Sequence, residues 1–146
     1  MTARGKSWET KLEVWHDGYR RDGRAVVWKT HPGVTVVRGK AVFTSAGPPD
    51  FIGVSGERSF VFDAKETAKD VLYCSQLKRH QAMDLEATVK HGGSAFLCVR
   101  ANGRQCVIPW WPDVSARYWG DAKTFDMARA WDFGDDGWLD LVRILM

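Results

Sequence analysis

Two aspartates and a lysine stand where a β-hairpin would gather them. Asp50 follows Pro48-Pro49 and opens a short apolar run, Ser55-Gly56-Glu57-Arg58 reads as a turn, and Phe60-Val61-Phe62 leads into Asp63-Ala64-Lys65. Folding at Ser55-Gly56 would set residues 50–54 antiparallel to 58–64 and bring Asp50 and Asp63 together at the open end. Lys65, two residues past Asp63, shares its face of an extended strand. Cleaving a phosphodiester requires an activated water, relief of charge on the phosphate and help for the leaving oxygen. A hard cation such as Mg²⁺ supplies much of this and prefers a few carboxylate oxygens beside water and substrate oxygens. Asp50 and Asp63 are candidate ligands, the Ala64 carbonyl a third protein oxygen, and the Lys65 ammonium a group to orient water or offset developing charge.

An Asp…Asp-x-Lys pattern by itself is weak, because Asp63 and Lys65 could form an ordinary surface pair. Phe60-Val61-Phe62, however, makes this strand apolar on both faces, and two charges in a central strand need a reason. Other ionisable residues are weighed in the same way. Glu9 lies near the start of a predicted helix, where it could approach a site; Glu13, one turn on, reads as a solvated residue. His80 beside Lys78-Arg79 could meet phosphate but is read first as packing or a solvated helix face. His16, His31 and His91 have no metal-ligand partners at useful spacing.

The surrounding elements must hold this hairpin. Over residues 4–21, Trp8, Leu12, Trp15 and Tyr19 share a helical face, with Ser7 as N-cap and Gly18 or Gly23 as stop. Ala25–Trp28, Val34–Val37 and Ala41–Thr44 read as extended segments, the last two a meander or projecting loop whose basic tip could grip phosphate. Gly53 permits close backbone approach. Thr67–His91 reads as one long helix or two, stopped by Gly92-Gly93. The strands Ala95–Val99 and Gln105–Ile108 flank an Asn102-Gly103 turn. Helices are expected over about 121–131 and 138–146. The order predicts an α/β protein with a mixed central β-sheet flanked by helices.

With 45% apolar and 27% charged residues among 146, the chain is expected to form one globular domain rather than a disordered one. It has no apolar run of about 20 residues, the length of a membrane span. Met1–Glu9 carries no signal-peptide core, so a cytoplasmic protein is expected. Cys74, Cys98 and Cys106 include no CxxC and read as reduced core residues. A net charge of +3 permits a polyanionic partner without requiring one. Most of the eight tryptophans should be core or interface anchors.

Residues 48–65 resemble the core of the PD-(D/E)xK nuclease superfamily, and their surroundings narrow the likeness. Arg4-Gly5-Lys6 with Glu9, then Tyr19, Gly23-Arg24-Ala25-Val26 and Lys29, resemble the start of RecU-type Holliday junction resolvases. Asp50-Phe51-x-Gly53, Ala64-Lys65-Glu66-Thr67, His80-Gln81 and His91-Gly92-Gly93-x-Ala95-Phe96 extend the likeness over about residues 4–100, leaving a Trp-rich helical tail over about 110–146. Archaeal Hjc-type resolvases are similar in kind. The resemblance implies a restriction-endonuclease-like core in a homodimer that nicks four-way DNA junctions in pairs, with Mg²⁺, or Mn²⁺ in its place. It implies Asp50, Asp63 and Lys65 as the catalytic core, Glu9 as a further carboxylate holding metal or its water, and Gln81 near the site. Arg4, Lys6, Lys29, Arg38, Lys40, Lys78, Arg79 and His80 are the expected DNA contacts.

Three features depart from the family pattern. Asp63 stands where RecU-type enzymes usually carry glutamate, which draws a metal closer to the strand. Residues 30–49 are shorter than the usual stalk. The Trp-rich tail could replace family contacts or build the dimer surface, with a core helix the equal alternative for Trp138–Leu145. A compact resolvase would suit a bacteriophage, acting then in the host cytoplasm. The rival readings are another nuclease of the superfamily (repair, restriction or flap-processing), an inactive DNA-binding module, and a plain interaction protein.

Overall fold

The computed structural model describes the backbone of residues 3–30, 34–37, 40–43 and 47–146, and the side chains of residues 7–30 and 47–146. Helix α1 runs Ala3–Arg21. Trp8, Leu12, His16 and Tyr19, at helical spacing, are all buried along one face. Arg20 and Arg21 in the last turn oppose the negative end of the helix dipole. Ser7 lies inside the helix, not at its start, and Gly18 also lies within it. The stop is Gly23, whose φ of +68° lets the amides of Gly23 and Arg24 turn back to the carbonyls of Arg20 and Tyr19.

The strands β1 (Val26–Lys29), β2 (Val34–Val37), β3 (Lys40–Phe43), β4 (Phe51–Ser55) and β5 (Arg58–Thr67) follow. β2 and β3 pair with each other as a separate two-stranded sheet. β1 and β5 flank β4, both antiparallel, with Phe51 opposite Phe62 and Ser55 opposite Arg58. Gly53 is required there. A Cβ would come within 2.6 Å of the Phe60 ring and 2.8 Å of the Val26 carbonyl.

A 3₁₀ turn at Cys74–Gln76 precedes helix α2 (Arg79–Lys90), and α2 connects β5 to the parallel strand β6 (Ser94–Ala101). The helix predicted across Thr67–His91 therefore exists only from Arg79. Its first half, apart from the 3₁₀ turn, is instead tied to the tail. Tyr73 bridges Thr124, the Cys74 amide donates to the Lys123 carbonyl at 2.9 Å, and the Phe125 amide donates to the Leu72 carbonyl at 2.9 Å. Tertiary pairing overrides the local helical pattern.

Asn102 and Gly103, both at positive φ, turn β6 into β7 (Arg104–Pro109). Helix α3 (Pro112–Trp119), strand β8 (Trp131–Asp132) and helix α4 (Leu139–Leu145) complete the chain. No helix spans 121–131. That stretch holds the Thr124 bridge, a 3₁₀ turn at Met127–Arg129 and the start of β8, which pairs with β7. The tail is thus only partly helical. The main sheet order is β1-β4-β5-β6-β7-β8, mixed as expected.

Two apolar layers cover the sheet. On one face α1 and α4 bury Trp8, Leu12, Phe51, Phe60, Phe62, Phe96 and Trp138 together. On the other, α2 and α3 bury Leu77, Leu85, Leu97, Ile108, Trp110 and Val114. Trp138 and Leu139 are core residues; Ile144, 81% exposed, is not. Their amides both donate to the Tyr19 hydroxyl, at 2.9 and 3.2 Å. Gly137, at φ +91°, allows this contact, since a Cβ would lie 2.1 Å from that oxygen. All three cysteines are free and buried. Among the described residues, no helix is long and apolar enough to cross a membrane.

Candidate active site

The open end of the β4–β5 hairpin brings Asp50 opposite Asp63, continuing the register in which Phe51 faces Phe62. Each anchors the other's strand. The Asp50 amide donates to Asp63 Oδ1 at 3.0 Å, and the Ala64 amide donates to Asp50 Oδ2 at 2.9 Å. The Pro48-Pro49 approach is fixed by the Thr30 hydroxyl, which donates to the Pro49 carbonyl, and by the Thr30 amide, 2.8 Å from the Asp50 carbonyl.

Asp63 is fully buried, and its Oδ2 has no hydrogen-bond partner. Burial, reinforced by the Asp50 carboxylate, pushes its pKa up to about 7 despite the Asp50 amide and Lys65. Glu9 reaches toward the same place from α1. It is also buried, with Oε2 lacking a hydrogen bond, and burial followed by Asp50 raises its pKa. Lys65 Nζ donates to Gln81 Oε1 at 3.0 Å; the same oxygen accepts from the Lys78 amide at 3.0 Å, so Gln81 joins the start of α2 to the lysine.

Asp50, Asp63, Lys65, Gln81 and Glu9 are therefore brought into one locality by three elements. The other predicted residues divide. Lys29, expected at DNA, lies 3.9 Å from both Glu9 and Glu13, where it offsets their charge. Lys78, Arg79 and His80 lie at the start of α2, the first two exposed and His80 half-buried. The side chains of Arg4, Lys6 and Lys40, all of Arg38, and the side chains of residues 31–46 lie outside the described residues.

Two nearby groups were missed from the sequence. Asp84, one turn beyond Gln81 on α2, also raises the Asp63 pKa; its i+3 spacing from Gln81 was the available signal. Glu66 pairs with Arg100 across β5 and β6, and the Arg100 guanidinium lies over Trp8. No local pattern reveals that pairing, because it depends on a parallel register.

The donor set fits a hard divalent cation. Its free atoms are carboxylate oxygens, and two of them, Asp63 Oδ2 and Glu9 Oε2, are buried without hydrogen-bond donors. Among the described residues no three His, Cys, Asp or Glu side chains converge closely enough to enclose an ion. A site of few protein ligands with several positions left for water and substrate suits Mg²⁺ better than a closed cage would.

A mixed sheet with helices on both faces, carrying Asp and Asp-x-Lys on adjacent strands, is an α/β fold of the restriction-endonuclease-like type. The chain belongs to the Recombination protein U family, whose family model matches residues 3–119. The Holliday junction resolvase RecU of Geobacillus thermodenitrificans is 30% identical over 109 residues, covering 66% of this chain and 54% of the relative. Its counterpart from Geobacillus kaustophilus is 28% identical over 128 residues, covering 74% and 64%. The chain thus spans between about half and two thirds of the length of these curated relatives. Among solved structures, Archaeoglobus fulgidus Hjc, described as a Holliday junction resolvase, is similar in fold with a TM-score of 0.53 and 16% identity, over 88% of this chain and 95% of that one.

Proposed function

We propose that this chain is a single nuclease domain, a metal-dependent endodeoxyribonuclease that resolves four-way DNA junctions as a homodimer, each protomer cutting one strand. The observation that carries the reading is the Asp50–Asp63 pair, held by reciprocal backbone bonds with Asp63 Oδ2 buried and unpaired beside Lys65. Buried polar groups are normally satisfied, so an orphaned oxygen on a carboxylate already facing a second carboxylate is the place a cation would occupy. The family and the resolvase names of its relatives support four-way junctions as the substrate.

Asp50, Asp63 and the Ala64 carbonyl would hold the cation, with Glu9 the further candidate. When bound, a divalent cation would acidify a water and neutralise phosphate charge. In the hydrolysis the water oxygen bonds to phosphorus, one ester P–O bond breaks, and the proton given up by water is balanced by one taken up at the leaving oxygen. Gln81 fixes Lys65 Nζ, so the ammonium faces the reacting phosphate without reorganising. Mg²⁺ is the expected ion, with Mn²⁺ able to replace it. The expected location is the cytoplasm, the host's if a phage encodes the protein.

The test is cleavage of an end-labelled four-way junction with and without Mg²⁺, beside a flap and a linear duplex. Paired nicks on the junction, absent in EDTA, are expected. Equal cutting of linear duplex would point to another nuclease of the superfamily, and binding without any product under Mg²⁺ or Mn²⁺ to an inactive DNA-binding module.

A further inference from the structure

We propose that the groove between residues 73–79 and 118–123 is a second DNA contact, taking the sugar–phosphate backbone of a junction arm beside the Asp50–Asp63 centre. The proposal rests on the nuclease reading above and adds a site to it. The groove encloses about 750 Å³. Lys78 and Arg79 line one wall and Lys123 the other, against a single carboxylate, Asp121. Among the described residues, none of these three cations is in an ion pair. A fourth, Lys69, has its Nζ 3.4 Å from the hydroxyl of Tyr73, another lining residue.

This balance is local. The groove lined by Arg58 and Arg143 differs, because it carries two carboxylates, Glu57 and Asp140, for its two cations, and Asp140 already pairs with Arg24. With a whole-chain charge of only +3, unpaired cations facing each other across a groove mark where a polyanion gains most. Cations on two walls suit a chain of phosphates better than one small anion.

The walls are built rather than incidental. The Cys74 amide bonds the Lys123 carbonyl, the Phe125 amide bonds the Leu72 carbonyl, and the Tyr118 hydroxyl donates to the Leu77 carbonyl at 2.6 Å. The Arg79 guanidinium lies 5.3 Å from the centre of the Trp119 ring, which holds the cation at the lip of the groove. Connection to the chemistry runs through Gln81, whose Oε1 accepts both the Lys78 amide and Lys65 Nζ. Backbone held at Lys78 is therefore held next to the lysine at the reacting phosphate. Tyr118 and Trp119 of this wall fall within the family match, which ends at residue 119, and Lys123 lies beyond it.

The experiment is fluorescence anisotropy of a labelled four-way junction in EDTA, from about 50 to 300 mM salt, on the full chain. The double variant Arg79→Gln/Lys123→Gln should lose about 5- to 20-fold in affinity, and the log–log salt slope should shrink by about 1.8, or 0.9 per phosphate contact. Lys90→Gln, at the far end of α2, should stay within about twofold of the parent. Thermal melting of each variant confirms that it is folded. A folded double variant with parental affinity and slope overturns the groove, as does a Lys90→Gln loss equal to the double variant's per charge. A parent that binds but never cuts with Mg²⁺ or Mn²⁺ sinks the nuclease reading and leaves the groove standing on its slope. A parent that cuts while the double variant binds unchanged sinks the groove alone. A parent that binds no DNA sinks both.

Discussion

The amide of Asp50 donates to Asp63 Oδ1 at 3.0 Å, so one catalytic candidate is held by the backbone of the other. That bond satisfies one oxygen of Asp63 and leaves its second buried and bare. The cost falls on stability. The ionised carboxylate is disfavoured by burial and by the charge of Asp50, which the Asp50 amide and Lys65 offset only in part and a bound cation would relieve further.

Asp63→Asn should therefore abolish cutting while making the metal-free protein more stable. The Asp63 pKa is raised in the folded state, so its favourable contribution is full below the ordinary carboxylate value of 3.8 and is lost as pH rises through about 7. Relief by the amide should be largest above pH 7 and vanish near pH 4. A gain on the order of 1–3 kcal/mol at pH 8 in EDTA corresponds to a melting temperature roughly 2–10 °C higher. Lower stability than the parent at pH 8 would show that the carboxylate is structural.

Lys65 and Gln81 separate charge from position. Lys65→Ala should remove cutting and keep junction binding within about threefold, because binding draws on many phosphate contacts. Gln81→Ala keeps the ammonium but releases it, and should lower the single-turnover rate by roughly 10- to 100-fold. It also strips the acceptor from the Lys78 amide, so a stability loss of about 0.5–2 kcal/mol at the start of α2 is expected. Gln81→Glu, which retains an acceptor for both donors, should recover the stability. An unchanged rate in Gln81→Ala would remove Gln81 from the site.

The hairpin was legible because its signals are local: two prolines, a turn, then Asp-x-Lys on an apolar strand. Helix α1 was legible over residues 4–21 from the spacing of Trp8, Leu12, Trp15 and Tyr19, although its N-cap was not. Residues 67–78 and 121–131 were misread as helix because each is tied to the other through the Tyr73–Thr124 bridge and the bonds at Cys74 and Phe125, leaving only one 3₁₀ turn in each. Pairing across 51 positions leaves no trace in a short window. The partners of Lys29, Glu9 and Glu13, were hidden for the same reason: they come from α1, and only the packing of α1 against β1 reveals them. Asp84 was missed because Gln81, which marks the face of α2 that meets the hairpin, was not followed one turn further to Asp84.

His16 read as an unassigned histidine in the sequence and is a buried joint between α1 and the tail. Its Nε2 accepts from Trp138 Nε1 at 3.1 Å, and its ring packs edge-on against Phe51, Phe62 and Trp138. Burial lowers its pKa from 6.5 to about 3, so the folded protein keeps it neutral while the unfolded chain takes up a proton. Stability should fall as pH drops below about 6.5, by up to about 1.4 kcal/mol per pH unit, until the folded value near 3 is reached. Asp63 acts in the opposite sense over part of this range, gaining stability as pH falls from about 7, so the parent alone would show a muted slope. The comparison that isolates His16 is urea unfolding of the parent and His16→Phe at pH 7.5 and pH 5. The variant loses the Trp138 acceptor and should be weaker at pH 7.5 by about 1–3 kcal/mol. Between the two pH values the parent should lose about 2 kcal/mol more than the variant. Equal losses would mean that His16 is protonated within the folded protein, and that the Trp138 contact does not hold the tail to α1 as a neutral pair.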